Sequence, residues 1–188
     1  MKKTFYILVL LTLCFGFSFA QTITSNGTGG GAWNATTTWV GGVVPTGANT
    51  VVIAGTDSVT VADPDTCASL TLNAGARLAI TSGGMPSATW TANATSTVIY
   101  SGASTIQTAS PYGNLTYATT SNGGFDGDAT INGNLAIPGN TLRGISATEG
   151  TRTHTVAGNI TVSGGSARIS AVNSSNSTTA SCAWNIGG

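Results

Sequence analysis

After residue 48 the chain alternates apolar and small polar positions in short runs, and each run stops at Gly, Pro, Asn or Asp. Val51-Val52-Ile53, Val59-Thr60-Val61, Leu70-Thr71-Leu72, Leu78-Ala79-Ile80 and Val98-Ile99-Tyr100 all read this way. A β-branched or aliphatic residue at every second position suits a pleat with one buried face, so the runs predict short strands. The breaks Ala54-Gly55-Thr56-Asp57, Asp63-Pro64-Asp65 and Asn73-Ala74-Gly75 predict turns. Strong helix formers are scarce beyond residue 20, which predicts almost no helix.

One unit is repeated. Ala129-Thr130-Ile131-Asn132-Gly133-Asn134-Leu135-Ala136-Ile137 is answered by His154-Thr155-Val156-Ala157-Gly158-Asn159-Ile160-Thr161-Val162, and Gly133 and Gly158 stand 25 residues apart. Tyr112-Gly113-Asn114-Leu115-Thr116-Tyr117 restates the unit. A period in this range points to stacked repeats. The fold expected is all-β, a right-handed parallel β-helix (β-solenoid) with an N-terminal cap, its hand set by the preference of parallel crossovers. Each Gly-Asn pair is a corner, where both residues tolerate positive φ. Asn134 and Asn159 are expected to stack there. Leu70, Leu115, Leu135 and Ile160 would form one aliphatic ladder, the gap from Leu70 to Leu115 spanning two coils. Ala183-Trp184-Asn185-Ile186-Gly187-Gly188 matches the first half of the unit, so a truncated chain is expected.

The first 20 residues break the pattern. Lys2 and Lys3 precede an apolar run from Phe5 to Phe17, and Ser18-Phe19-Ala20 is a small-x-small cleavage site. This is the form of a secretory signal, with Gln21 the first mature residue and a secreted or cell-surface location. Residues 21–48, rich in glycine and carrying Trp33 and Trp39, are expected to cap residues 49–188, because the end of a solenoid has to be covered. The same two indoles, or Trp90 and Trp184, are the candidates if the chain binds glycans.

Composition narrows the partners. Charged residues are 6% of the chain and hydrophobic residues 40%, a mix that fits a packed β fold better than disorder. Past residue 20 four arginines face six acidic residues and no lysine remains, so no basic patch suits nucleic acid and no basic amphipathic segment suits a membrane. Cys67 and Cys182 lie near opposite ends, and buried free thiols are expected over a bridge, although an oxidising compartment would allow one.

Chemistry is thin. His154, in Thr151-Arg152-Thr153-His154-Thr155, is expected to be an exposed strand residue without a catalytic partner. Asp63 with Asp65, and Asp126 with Asp128, are Asp-x-Asp pairs; Asp126 and Asp128, flanked by glycines, are the better candidates for calcium, although two ligands do not complete a site. No phosphate loop, zinc spacing or nucleophile elbow is present. No cofactor and no enzymatic activity are expected.

Trp33 and Thr38-Trp39-Val40-Gly41-Gly42-Val43-Val44-Pro45, followed by Val51-Val52-Ile53, Val59-Thr60-Val61 and Ser69-Leu70-Thr71-Leu72-Asn73-Ala74-Gly75-Ala76-Arg77-Leu78, resemble the opening module of large secreted β-helix proteins. These stand on the surface of Gram-negative bacteria with type IX secretion, and the module is similar to the eight-glycine extracellular domain. Val98-Ile99-Tyr100-Ser101-Gly102 and Tyr112-Gly113-Asn114-Leu115-Thr116 resemble the repeats downstream. The resemblance implies architecture rather than activity, and no carboxy-terminal sorting domain is matched. It favours a structural, adhesin-like segment of a surface protein. A glycan-binding module, or the non-catalytic front of a polysaccharide-degrading enzyme, is the alternative. Ice binding is the weaker third, suggested by Thr36-Thr37-Thr38 and Thr151-x-Thr153-x-Thr155 but opposed by unequal coil lengths.

Overall fold

A computed structural model describes residues 20–62, 65–103, 105–139, 141–144, 151–164, 167–170 and 181–187. The apolar leader, Asp63 and Gly188 lie outside the described residues. Strands follow the alternating runs. The first rungs hold β1 (Thr22–Thr24) and β2 (Gly30–Ala32), then β3 (Thr50–Ile53) and β4 (Ser58–Val61), then β5 (Ser69–Leu72) and β6 (Arg77–Ile80). The fourth rung adds a third strand, with β7 (Trp90–Ala92), β8 (Thr97–Tyr100) and β9 (Thr105–Ile106). Next come β10 (Asn114–Tyr117) and β11 (Gly123–Phe125), then β12 (Thr130–Ile131), β13 (Leu135–Ile137) and β14 (Thr141–Arg143). The last rungs are β15 (Thr151–Val156), β16 (Ile160–Val162) and β17 (Arg168–Ser170), with β18 (Ser181–Ile186) over β15. Among the described residues there is no α-helix, only two 3₁₀ turns at Thr36–Thr38 and Val40–Gly42.

Every strand pairs with the equivalent strand one rung away, and every such pairing is parallel. Sheet I is β1-β3-β5-β7, sheet II is β2-β4-β6-β8-β10-β13-β16, sheet III is β9-β11-β14-β17 and sheet IV is β12-β15-β18. Sheet IV carries on the line of sheet I through Tyr112, which bridges to Ile131 in parallel and packs its ring 5.2 Å from that of Trp90. The architecture is a parallel β-solenoid. Leu135 pairs with Ile160, and both Gly-Asn corners are neighbours, as the 25-residue repeat requires.

Alternation decides the core. Val59, Leu78, Val98, Leu115 and Leu135 form one buried column of sheet II, and Val61, Ile80, Tyr100, Tyr117 and Ile137 form the next. Leu70 is not in the Leu115 column, as the sequence spacing suggested. It belongs to sheet I, between Val51 and Trp90. The column of Leu115 runs back through Val98 to Leu78 instead. Inside the stack the Tyr100 and Tyr112 hydroxyls meet at 3.0 Å, and the Tyr112 hydroxyl also donates to the Gln107 carbonyl. Burial pushes the Tyr100 phenol up to about 12, so both rings remain neutral hydrogen-bonding core residues.

The corners change in character along the stack. Early corners are four-residue turns closed by backbone bonds from Asp57 to Ala54, Ala76 to Asn73 and Ser96 to Asn93. From Gly113 onward they shrink to Gly-Asn. These glycines do not adopt positive φ, contrary to the expectation from sequence; they are required by close approach. A Cβ on Gly133 would lie 2.4 Å from the Asn114 Oδ1, and one on Gly158 would lie 2.5 Å from the Asn134 Oδ1. Those same oxygens accept the Asn134 and Asn159 backbone N–H groups at 2.9 Å, so the corners are joined from side chain to backbone, where stacking of the Asn134 and Asn159 side chains was expected.

The cap differs in detail from the expected 21–48 segment. Its first part is already a rung, since β1 and β2 pair in register with β3 and β4. The covering is done by the chain that follows: Ser25 bridges Trp39 antiparallel, and the Asn26 N–H donates to Thr38. Trp33 and Trp39 pack edge to face, centroids 5.2 Å apart, and the Trp39 Nε1 donates to the Trp33 carbonyl at 2.7 Å.

Candidate functional site

Two buried polar groups act as ties between rungs, one near each end of the stack, and neither role was read from the sequence. The first is Asp57, fully buried at the corner between β3 and β4. Its carboxylate accepts the Gly27 and Gly29 backbone N–H groups at 2.8 Å each. Burial pushes its pKa up, but hydrogen bonds from Ser25, Gly29 and Gly27 outweigh that and hold it below the usual range. It therefore stays ionised and pins the glycine-rich loop of the first rung to the second. In sequence it looked like an ordinary turn residue.

The second is His154. It is not an exposed strand residue, as expected, but 0% exposed. The threonines on either side misled: Thr151, Thr153 and Thr155 face out, while alternation turns His154 inward with Val156. Its ring lies 4.5 Å from that of Phe125 and 4.7 Å from that of Trp184. The Ala129 N–H donates to Nδ1 at 3.1 Å, which leaves the proton on Nε2, donating to the Gly144 carbonyl at 2.6 Å. Burial pushes its pKa down, and Arg152 adds to this; the Gly144 contact and Asp128 oppose it without reversing it. With both nitrogens engaged and the neutral form favoured, the ring works as a core bracket.

Around His154 the chain gathers Arg152, Cys182 and Trp184, all half-buried. The Arg152 Nε and Trp184 Nε1 are buried without a hydrogen-bond partner. The Cys182 thiol is pushed up by burial and by Asp128, away from the thiolate a nucleophile requires. Cys67, a buried free thiol in the third rung, is pushed up to about 11 by burial.

The calcium candidates are exposed and each is spent on a neighbouring rung. Asp126 accepts the Thr108 hydroxyl at 2.8 Å and Asp128 accepts the Thr153 N–H at 2.9 Å. Among the described residues no group of three or more His, Cys, Asp or Glu converges to hold an ion. Three of the four glycan candidates are turned inward. Trp33 is 1% exposed, Trp39 2% and Trp90 5%, while Trp184, the fourth candidate, is half-buried. Among the described residues no helix is long and apolar enough to cross a membrane.

No family model, no curated protein and no solved structure matches this chain.

Proposed function

We propose that the chain is a structural segment of an exported cell-surface protein, a capped solenoid that spaces or presents other parts rather than turning over a substrate. The observation that carries this reading is the unbroken parallel register from β2 to β16 in sheet II. Each rung is bonded to the next by backbone pairs, by an apolar column and, from Asn114 onward, by an asparagine side chain. Such a stack gains stability from nearest-neighbour interfaces and keeps its shape as rungs are added. The polar groups that elsewhere do chemistry are here used as ties: Asp57 for the cap, His154 for the later rungs. Resemblance to the opening module of secreted surface β-helices supports the same reading, as does the leader ending at Ala20.

The test is export and topology. The full chain, expressed in a Gram-negative host with type IX secretion, is expected outside the cytoplasm with Gln21 as its first residue. A chain kept in the cytoplasm with its leader attached would contradict the proposal.

A further inference from the structure

Sheet I presents an outer surface unlike that of sheet II. Ile23, Val51, Leu70 and Trp90 point inward, so the residues beside them point outward. They fall into two rows. Thr22, Thr50 and Ser69 are in register, with Thr89 next in line before Trp90; Thr24, Val52, Thr71 and Thr91 are in register beside them. All eight are half-buried or exposed, and none carries a charge. The hydroxyls stand in line closely enough for Ser69 to donate to Thr50 at 3.1 Å. Sheet II has no such surface: one outward row, Ser58, Arg77 and Thr97, includes a guanidinium, and the other, Thr60, Ala79, Ile99, Thr116, Ala136 and Thr161, mixes hydroxyls with aliphatic side chains.

The spacing of this array is set by the backbone. Rows repeat at about 4.8 Å from rung to rung, and the two rows stand about 6.6 Å apart along each strand. The shorter length lies close to a repeat of oxygen atoms on a face of ice, so the rows keep near step with such a face along the stack. Threonine brings a hydroxyl that anchors water and a methyl around which water orders without bonding to it. Its branched Cβ restricts χ1, so little rotamer freedom is lost when the water above it freezes.

We propose that the outer face of sheet I binds ice. Unequal coil lengths, which seemed to oppose this role, do not disturb the array. Thr22 to Thr50 is 28 residues, Thr50 to Ser69 is 19 and Leu70 to Trp90 is 20, yet the pairings run without a slip. The excess of the first coil is taken up by the cap between β2 and β3. The threonines that matter are therefore these, and not Thr36-Thr37-Thr38, where Thr38 is buried. A protein partner would call for an apolar anchor, and Val52 is the one aliphatic side chain among the eight. A crystalline polysaccharide would call for an exposed ring, and Trp90 faces inward.

The experiment is thermal hysteresis and ice-crystal shaping by the purified protein, compared with Thr50→Lys, Thr71→Lys and, on sheet II, Thr116→Lys. Circular-dichroism melts check that each variant folds. The unaltered protein should shape ice and show hysteresis, the two sheet I variants should lose both, and Thr116→Lys should keep both. If either sheet I variant fails to fold, Thr91→Tyr at the exposed edge takes its place. Absence of ice shaping by the unaltered protein would overturn the proposal. So would equal loss in Thr116→Lys, or adsorption to microcrystalline cellulose that the sheet I variants abolish while ice remains unaffected.

Discussion

His154 and Asp57 show how single polar residues are used in this fold, and their protonation gives the stack a pH dependence that can be calculated in sign. Both have folded-state pKa values below their ordinary 6.5 and 3.8. The unfolded chain therefore binds protons more readily than the folded one in each window, and stability falls as pH falls. For His154 the loss begins below about 6.5 and is complete once the pH is below the folded value. Protonating Nδ1 would set an N–H against the Ala129 N–H and place a charge between two aromatic rings. For Asp57 the loss begins below about 3.8. Melting temperature should thus hold level from neutral pH to about 6.5 and then decline, with a further fall in the Asp57 window. His154→Phe keeps the ring stack and should remove the first decline. An unchanged pH profile in that variant would show that His154 is not the group responsible.

At the scale of the element, the Gly-Asn corner does what a turn and a ladder strand do together. Asn114 and Asn134 each satisfy the backbone N–H of the next corner, and the glycine of that next corner, Gly133 or Gly158, clears space for the bond. Gly133→Ala should cost about 1–3 kcal/mol, the usual penalty for forcing an extra methyl into a packed site. Gly41, at φ 77° in the cap and with nothing near the position of a Cβ, should instead suffer only the backbone strain of alanine. Chemical denaturation of the two variants measures the difference, and equal losses would argue against close approach as the cause. The corners also mark what sequence could and could not reveal. The strands were legible because apolar positions alternate at a period of 2, and the Gly-Asn repeat correctly placed Leu135 beside Ile160. The reason for each glycine was not, since a collision with an oxygen one rung away depends on stacking. Leu70 was misplaced for a related reason: spacing alone does not say which sheet a strand joins. For His154 the signal was present, because the alternation in Thr151-Arg152-Thr153-His154-Thr155-Val156 already sets it on the side of Val156. Thr50 and Ser69 could be seen as neighbours only once the register was known.

The whole molecule is a stack with one end closed by the indoles of Trp33 and Trp39 and by Asp57. Its outer faces differ in chemistry, hydroxyl-lined and uncharged on sheet I and mixed on sheet II, while one interior runs beneath them. Both proposed roles depend on this arrangement, since a spacer and an ordered surface each need rungs that repeat at a fixed rise. Sheet II supplies a ruler for it. Thr60, Ala79, Ile99, Thr116, Ala136 and Thr161 occupy one outward row on six successive rungs. Spin labels at Thr60 paired with labels at Thr116, Ala136 or Thr161, with Cys67 and Cys182 first replaced by alanine, span three, four and five steps. Backbone separations of about 14, 19 and 24 Å are expected, one strand spacing of about 4.8 Å for each rung. Distances measured by pulsed electron resonance that fail to lengthen from Thr116 to Ala136 to Thr161 would contradict the stack.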